Sequence, residues 1–498
     1  MTPLLAGVDV GTQSVKAGLY TPAGSCRAER AIPLRLEQRA GGGVEQEPEA
    51  FVTATASALA ACVEQAGCPP DEIAAVAIAG QMAGVLGIGR DGAAVTPYDS
   101  WLDARCAPEV AEIDEQLGDE VVARTGCPPM VAHAPKLLWW KRHRPGDFAR
   151  VERWVMPGAY VAGRLCGLPA TEAFVDWTYL HFSGLSEAVE TAWSPYLVAE
   201  LDLDPEQLPR IVAPTELVGA LTAESAGACR LRPGTPVAAG LGDTAAGALG
   251  AGIVAPGQVL DTAGTAAVLG ISTTSYRPDV ERRMLVSMRG AVPGQWIALS
   301  YLAGGNLLRW LPQALGGSLE TLLAEARVAT SPARAGQPLF VPHLGGRILP
   351  PAAGMRGAWL ELDFSHQRGD LVRAVLESVA YEYGEYLERA LALHPELAPR
   401  EVRVVGGGAG DALWNRIKAS VLGLPYARLG RESFGPWGAA LVAGAACGLV
   451  IDLAAAALAG TAVAERLEPE AGLGELYAER GSAYRTALAL LSPQLVPA

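Results

Sequence analysis

The sequence predicts an α/β protein of two domains, and three observations carry that prediction. Apolar strand-like runs alternate with helical periods along the chain. Three glycine-rich segments follow or adjoin such runs: Gly7-Val8-Asp9-Val10-Gly11-Thr12-Gln13-Ser14, Gly240-Leu241-Gly242-Asp243-Thr244-Ala245-Ala246-Gly247 and Gly406-Gly407-Gly408-Ala409. A strand–turn–strand unit with glycine at its turn occurs twice, at 4–20 and at 258–272, and reads as an internal pseudo-repeat. At 498 residues the chain is too long for one ordinary core. Each repeat is therefore taken to open one domain, with the boundary at 245–255 and domains of 1–248 and 249–498.

Taken in order, residues 4–10 and 15–20 are apolar runs joined by Gly11-Thr12-Gln13-Ser14, a hairpin whose turn is rich in hydroxyl and amide donors. A helix that Pro48 starts is expected over 49–66. Residues 73–79 are continuously apolar, as a buried strand is, and end at Gly80-Gln81. A short strand is expected at 151–156. Another, at 233–239, runs into the second glycine segment, and 258–272 forms the second hairpin with Gly264-Thr265 at its turn. Apolar spacing at Leu371, Ala374, Val375 and Val379 predicts a long helix over 370–393. A strand at 402–405 empties into Gly406-Gly407-Gly408, and helices are expected over 414–422 and 438–448. The last is rich in small residues, which allow close packing.

Half of the residues are hydrophobic and 18% are charged, ample material for a buried interior. The formal net charge of −14 argues against nucleic acid, whose phosphates demand a basic face. It leaves room for a nucleotide, which needs only local positive potential. The eight cysteines show neither a CxxC pair nor cysteine–histidine spacing, so neither a disulfide frame nor a zinc site is expected. The six histidines share no ligand spacing. With no basic leader and no uninterrupted apolar span, a cytoplasmic protein without membrane contact is expected.

The first two glycine segments each hold one aspartate beside small residues. A phosphate site needs that combination: backbone N–H groups that approach oxygens closely, and carboxylates for a metal and a proton. Asp243, between Gly242 and Thr244 at a strand-to-helix junction, reads equally well as a helix cap or as a general base. Asp9, in a strand that runs into a glycine turn, is costly if buried alone, so a Mg²⁺ held through water would compensate it; the alternative is a turn residue bonding its own backbone. Thr12, Gln13 and Ser14 offer donors to phosphates. Lys16 adds charge there or is an exposed strand lysine.

The pattern resembles the FGGY carbohydrate kinases of the actin/Hsp70/hexokinase superfamily. The first family signature is partly met at Lys136-Leu137-Leu138-Trp139-Trp140. The second is nearly complete, from Gly357-Ala358-Trp359-Leu360 through Asp370-Leu371 to Ala374-Val375-Leu376-Glu377, with Glu361 replacing its internal glycine. The resemblance implies two actin-like (ribonuclease H-like) domains around a cleft, ATP as phosphoryl donor, Mg²⁺, and Asp243 as catalytic base. It implies that Gly264 and Thr265 form a second phosphate turn, that Gly407, Gly408 and Ala409 lie against adenosine, and that Gly305 and Arg309 line the nucleotide pocket. Asn415 adds an amide there or is an exposed helix residue.

Within the family, Gly80-Gln81-Met82-Ala83-Gly84, Trp101-Leu102-Asp103-Ala104-Arg105 and Trp414-Asn415-Arg416-Ile417-Lys418 are most similar to xylulokinases. Gln81, Met82, Ala83, Trp101, Asp103 and Asp243 are then the expected sugar contacts, Trp101 being otherwise a core residue. Ala83 stands where that branch usually carries histidine, so another ketose or a polyol is the alternative acceptor. A nucleotide-switched, sugar-sensing pseudokinase is the alternative class. A small sugar or polyol is the expected partner, with a homodimer allowed.

Overall fold

The computed structural model describes residues 3–264, 266–302, 304–329 and 337–491. Its frame is two sheets. The first takes strands β1 (Leu4–Val10), β2 (Ser14–Tyr20), β3 (Cys26–Pro33), β4 (Ile73–Gly80), β5 (Leu217–Ala220) and β6 (Pro236–Gly242), in the order β5-β6-β4-β1-β2-β3. The second takes β7 (Val259–Ala263), β8 (Ala267–Thr273), β9 (Val286–Arg289), β10 (Trp296–Leu302), β11 (Val402–Val405), β12 (Tyr426–Leu429) and β13 (Val463–Leu467), in the order β9-β10-β8-β7-β11-β12-β13. Both repeats form as expected: β1 pairs β2 and β7 pairs β8 antiparallel, while β1 and β7 pair parallel with β4 and β11 on their other edges.

Period-two alternation along β1 decides what surrounds the site. Leu4, Ala6, Val8 and Val10 enter a core with helix α1 (Pro48–Ala66). Leu5, Gly7 and Asp9 face the opposite way. There two helices, α2 (Asp243–Gly250) and α3 (Phe434–Ala446), share one apolar cluster with residues of both sheets, among them Ala77 and Leu241 from the first and Leu260 and Leu299 from the second. The second sheet buries its remaining face under α4 (Arg368–Leu393) and α5 (Ala412–Leu422).

The sequence places the last small-residue helix at 438–448, whereas the structure begins it at Phe434. Pro436 lies in its first turn, where a missing N–H costs no hydrogen bond. The strand expected at 151–156 is confined to Arg153–Val155.

Glycine sets the approach of the two shared helices. A Cβ on Gly438 would lie 2.0 Å from the Ala246 carbonyl oxygen, and one on Gly7 would lie 1.8 Å from that of Pro436. Backbone meets backbone at both places, so no side chain can rotate away. Gly438→Ala is expected to lower stability by about 1–3 kcal/mol through overpacking. Chemical denaturation checks this, and parental stability would show that the helices part at no cost.

Candidate functional site

Strand register brings the two aspartates' elements together. Asp9 is the penultimate residue of β1, and β1 neighbours β4, whose last residue Gly80 is in register with Gly242, the last of β6. Asp243 follows as the first residue of α2, at the strand-to-helix junction that the sequence predicts. A bulge shapes β6 just before this point: its register shifts between Ala238 and Leu241, and Gly240 takes φ +78°, where a Cβ would strike the Ile78 carbonyl oxygen.

Both carboxylates are held above the usual range. Burial pushes Asp243 up to about 7, and the negative charge of Asp9 adds to the shift. Burial raises Asp9 to about 6 against the pull of Lys16, its cross-strand partner. The Asp9 Oδ1 is buried without a hydrogen-bond partner. Oδ2 lies against Gly435 in the first turn of α3, where a Cβ would come within 2.7 Å of it. An acidic atom beside a helix N-terminus, unpartnered, fits a divalent cation that takes one or two protein carboxylates and completes its shell with phosphate and water. Among the described residues no cluster of three or more acidic, histidine or cysteine side chains would form a closed metal cage.

The 11–14 turn is bonded to two of the residues expected to meet the sugar. The Thr12 hydroxyl donates to Gln81 Oε1 at 3.1 Å and accepts the Trp101 indole N–H at 2.9 Å. Gln81 is 1% exposed and donates onward to Gln46 Oε1, and Gln46 donates to the Thr12 carbonyl. The Gln81 amide thus ties the turn to Gln46. Gln13 is exposed, Thr12 and Ser14 are partly so, and Lys16 is exposed at the edge of the same turn.

Met82 lies beside Gly242, the residue before Asp243, since a Cβ on Gly242 would come within 2.6 Å of its sulfur. Ala83 is partly exposed and left-handed at φ 62°, a conformation disfavoured for any residue with a Cβ. Asp103 is 1% exposed, its Oδ2 accepts the Val44 N–H, and its Oδ1 accepts from Arg105. With both oxygens engaged, it braces the loop that carries Trp101.

Lys136 is the hub of that loop. Its fully buried ammonium donates to Asp99 Oδ1 at 2.6 Å and to the Ser100 and Asp103 carbonyls at 2.8 and 2.9 Å.

In the second half, Gly406 and Gly408 pack on the end of β7: Cβ atoms there would meet the Ala263 carbonyl oxygen and Cβ at 2.9 Å. Gly264 follows at once, so the second turn and the third glycine segment adjoin. Gly407 faces open space, and Ala409 is buried at 7%. Gly305 sits in the first turn of the helix Gly304–Leu315, whose first residue, Gly304, packs on Ala267 at the start of β8, and Arg309 is exposed one turn on. Asn415 is 2% exposed and donates to the Ala409 carbonyl at 2.8 Å, so it supports the glycine loop from behind. Thr265 lies outside the described residues.

Nothing in the sequence points to Gln46 or to the turn carrying Asp176, Thr178 and Tyr179; all four are buried, and Gln46, Thr178 and Tyr179 bond to partners distant in the chain while Asp176 bonds to Thr178. Gly435, between Phe434 and Pro436 just ahead of the small-residue run, was also missed. Among the described residues, no helix is long and apolar enough to cross a membrane.

The chain is similar to known proteins over most of its length. The N-terminal domain of the FGGY family of carbohydrate kinases matches residues 4–250, and the C-terminal domain of that family matches residues 260–447. The chain is 30% identical over 423 residues to the xylulose kinase of Escherichia coli (strain K12), covering 84% of each protein. It superposes on the crystal structure of a xylulose kinase from Brucella ovis with a TM-score of 0.87 at 28% identity, covering 98% of this chain and 99% of that one. A gluconate kinase from Lactobacillus acidophilus gives a TM-score of 0.89 at 22% identity over the full length of both chains, a likeness of fold.

Proposed function

The chain belongs to the FGGY family of carbohydrate kinases, and we propose that it transfers the γ-phosphoryl group of ATP to a hydroxyl of a ketose, xylulose first, with Asp243 as general base. One observation carries the assignment of the base. A half-buried carboxylate, raised to about 7, sits at the end of a strand beside Met82 and within the field of a second carboxylate, Asp9. A base poised near the working pH is deprotonated often enough to act and basic enough to accept a proton. Asp243 takes the proton of the sugar hydroxyl as that oxygen attacks the γ-phosphorus in line. An active site that depends on this ionisation should lose kcat/KM as the pH falls through about 7. A flat profile down to about pH 5 would remove Asp243 from the role.

Asp9 is the residue that would hold Mg²⁺, and the metal would supply charge neutralisation at the β- and γ-phosphates. The turn residues Thr12, Gln13 and Ser14 on one side, and Gly264 on the other, offer backbone and hydroxyl donors to those phosphates. Lys16 adds positive potential beside Asp9. Gly407, Gly408 and Ala409 give the adenosine a surface of backbone, with Gly305 and Arg309 lining the same side.

Xylulose as acceptor is supported by the named activity of the relatives, and domains closing over both substrates would exclude water from the transfer. The residue that bears on the choice of sugar is Ala83. A missing imidazole leaves the wall one polar contact short, and a site lacking such a partner discriminates less between hydroxyl patterns. Initial rates over a panel of ketoses and polyols are expected to show xylulose turned over with other acceptors close behind. Ala83→His should move relative kcat/KM toward xylulose by about 1–2 kcal/mol, the worth of one hydrogen bond. A parent that already prefers xylulose strongly, with a variant that is merely slower, would show that this position does not set the choice.

A further inference from the structure

We propose that the short 3-10 turn Trp177–Phe182 is a positioning clamp, which uses Thr178 and Tyr179 to hold the base and the sugar loop at a set separation. The inference rests on the assignment of Asp243 as base and of residues 81–83 as one wall of the sugar site.

The two walls leave the ends of neighbouring parallel strands. Gly80 closes β4 and precedes Gln81, Gly242 closes β6 and precedes Asp243, and the two glycines are register partners. Neither has a side chain with which to anchor its strand end, so the backbone must be held directly. The turn does this at both positions. Thr178 Oγ1 accepts the Gly242 N–H at 2.8 Å, and the Tyr179 hydroxyl donates to the Gly80 carbonyl at 2.7 Å.

The direction of the Thr178 bond is set by a third group. Asp176 Oδ1 takes the Thr178 hydroxyl proton at 2.5 Å and the Thr178 N–H at 2.9 Å. A hydroxyl has one proton, so donation to Asp176 leaves its lone pairs for Gly242. Asp176, Thr178 and Tyr179 are 3%, 0% and 2% exposed, so water does not compete for these bonds. The turn is also fixed from outside the strands it holds. The Trp177 indole donates to the Gly290 carbonyl at 2.9 Å, just past β9 of the second sheet, and the Arg289 guanidinium lies over the Trp177 ring at 4.9 Å.

The two side chains should therefore have separable effects. Thr178 acts on the peptide that carries the base, and Tyr179 on the peptide that carries the sugar loop. Thr178→Val keeps the shape but leaves the Gly242 N–H without its acceptor. It is expected to lower kcat about 10–100-fold, as a small misplacement of a reacting group does, with sugar KM within about threefold of the parent. Thr178→Ser keeps the hydroxyl and should restore most of the rate. Tyr179→Phe removes only the donor to Gly80 and should raise sugar KM about 5–10-fold with kcat within about threefold. A turn that only stabilised the fold would lower melting temperature and the active fraction without dividing kcat from KM in this way.

The test is steady-state kinetics of the full chain with xylulose and Mg·ATP, run beside Asp243→Asn. Parental kcat and KM in both Thr178→Val and Tyr179→Phe, with Asp243→Asn inactive, would overturn the clamp and leave the base in place. An active Asp243→Asn would overturn the base assignment itself. Should Thr178→Val fail to fold, Tyr179→Phe decides alone, and an unchanged sugar KM then overturns the clamp.

Discussion

Replacing Asp243 by asparagine is expected to slow phosphoryl transfer by about 10²–10⁴ while sugar binding survives, because the proposed proton acceptor is lost with little change of shape. The same variant should be more stable than the parent at about pH 8 in the absence of nucleotide and metal. The sign follows from the direction of the shift. Burial and the Asp9 charge raise the folded-state pKa of Asp243 from 3.8 to about 7. A group raised in this way favours the fold while it is protonated, fully so below its unfolded value, and that contribution is lost as pH rises through the folded value. Above pH 7 the parent therefore holds an ionised, poorly solvated carboxylate beside Asp9, and asparagine carries no charge. Allowing for solvent at a half-buried group, the gain is about 1 kcal/mol, and it should shrink toward pH 5. Thermal denaturation at the two pH values measures the gap, and initial rates measure the turnover. A variant that is both active and no more stable would contradict the two halves of the reading separately.

Lys136→Met is expected to have the largest effect on stability. The lysine is fully buried, and its three hydrogen bonds tie Asp99 and two carbonyls of the 99–103 loop to the helix His133–His143. Methionine fills similar space but leaves Asp99, 2% exposed, with only the 3.2 Å bond from the Trp140 indole. Breaking one side of a buried pair costs about 3–5 kcal/mol. Burial already raises Asp99 to about 6 against the pull of Lys136, so without the lysine it should rise further. The loss should then be greatest at alkaline pH and smaller in acid, where Asp99 is neutral. Adding Asp99→Asn to Lys136→Met should recover part of the stability, a coupling that denaturation of the two single variants and the double variant reads directly. Because Trp101 stands on the same loop and donates to Thr12, the surviving protein should also bind both substrates less well. Equal stability of parent and variant would show that the network is not what holds the loop.

The aspartates and glycines of the site were legible in the sequence because their requirements are local. A strand that ends in a glycine turn, a carboxylate at a strand-to-helix junction and a triple glycine after an apolar run each declare themselves within about ten residues, through backbone geometry alone. The division into two α/β halves was legible for the same reason, since the hairpin repeats. What the side chains around those features do was decided only by the tertiary structure. Gln81 and Asp103 look like ligand-facing polar residues in the sequence, yet each is buried and bonded to side-chain or backbone partners, and Asn415 is buried with its amide N–H on the Ala409 carbonyl. Thr12 meets Trp101 across 89 residues, and Gly242 meets Thr178 across 64. Those pairings depend on sheet register and on the depth to which glycine lets two helices approach. Burial then makes each partner obligatory, because a polar group removed from water must be satisfied by whatever the fold brings to it.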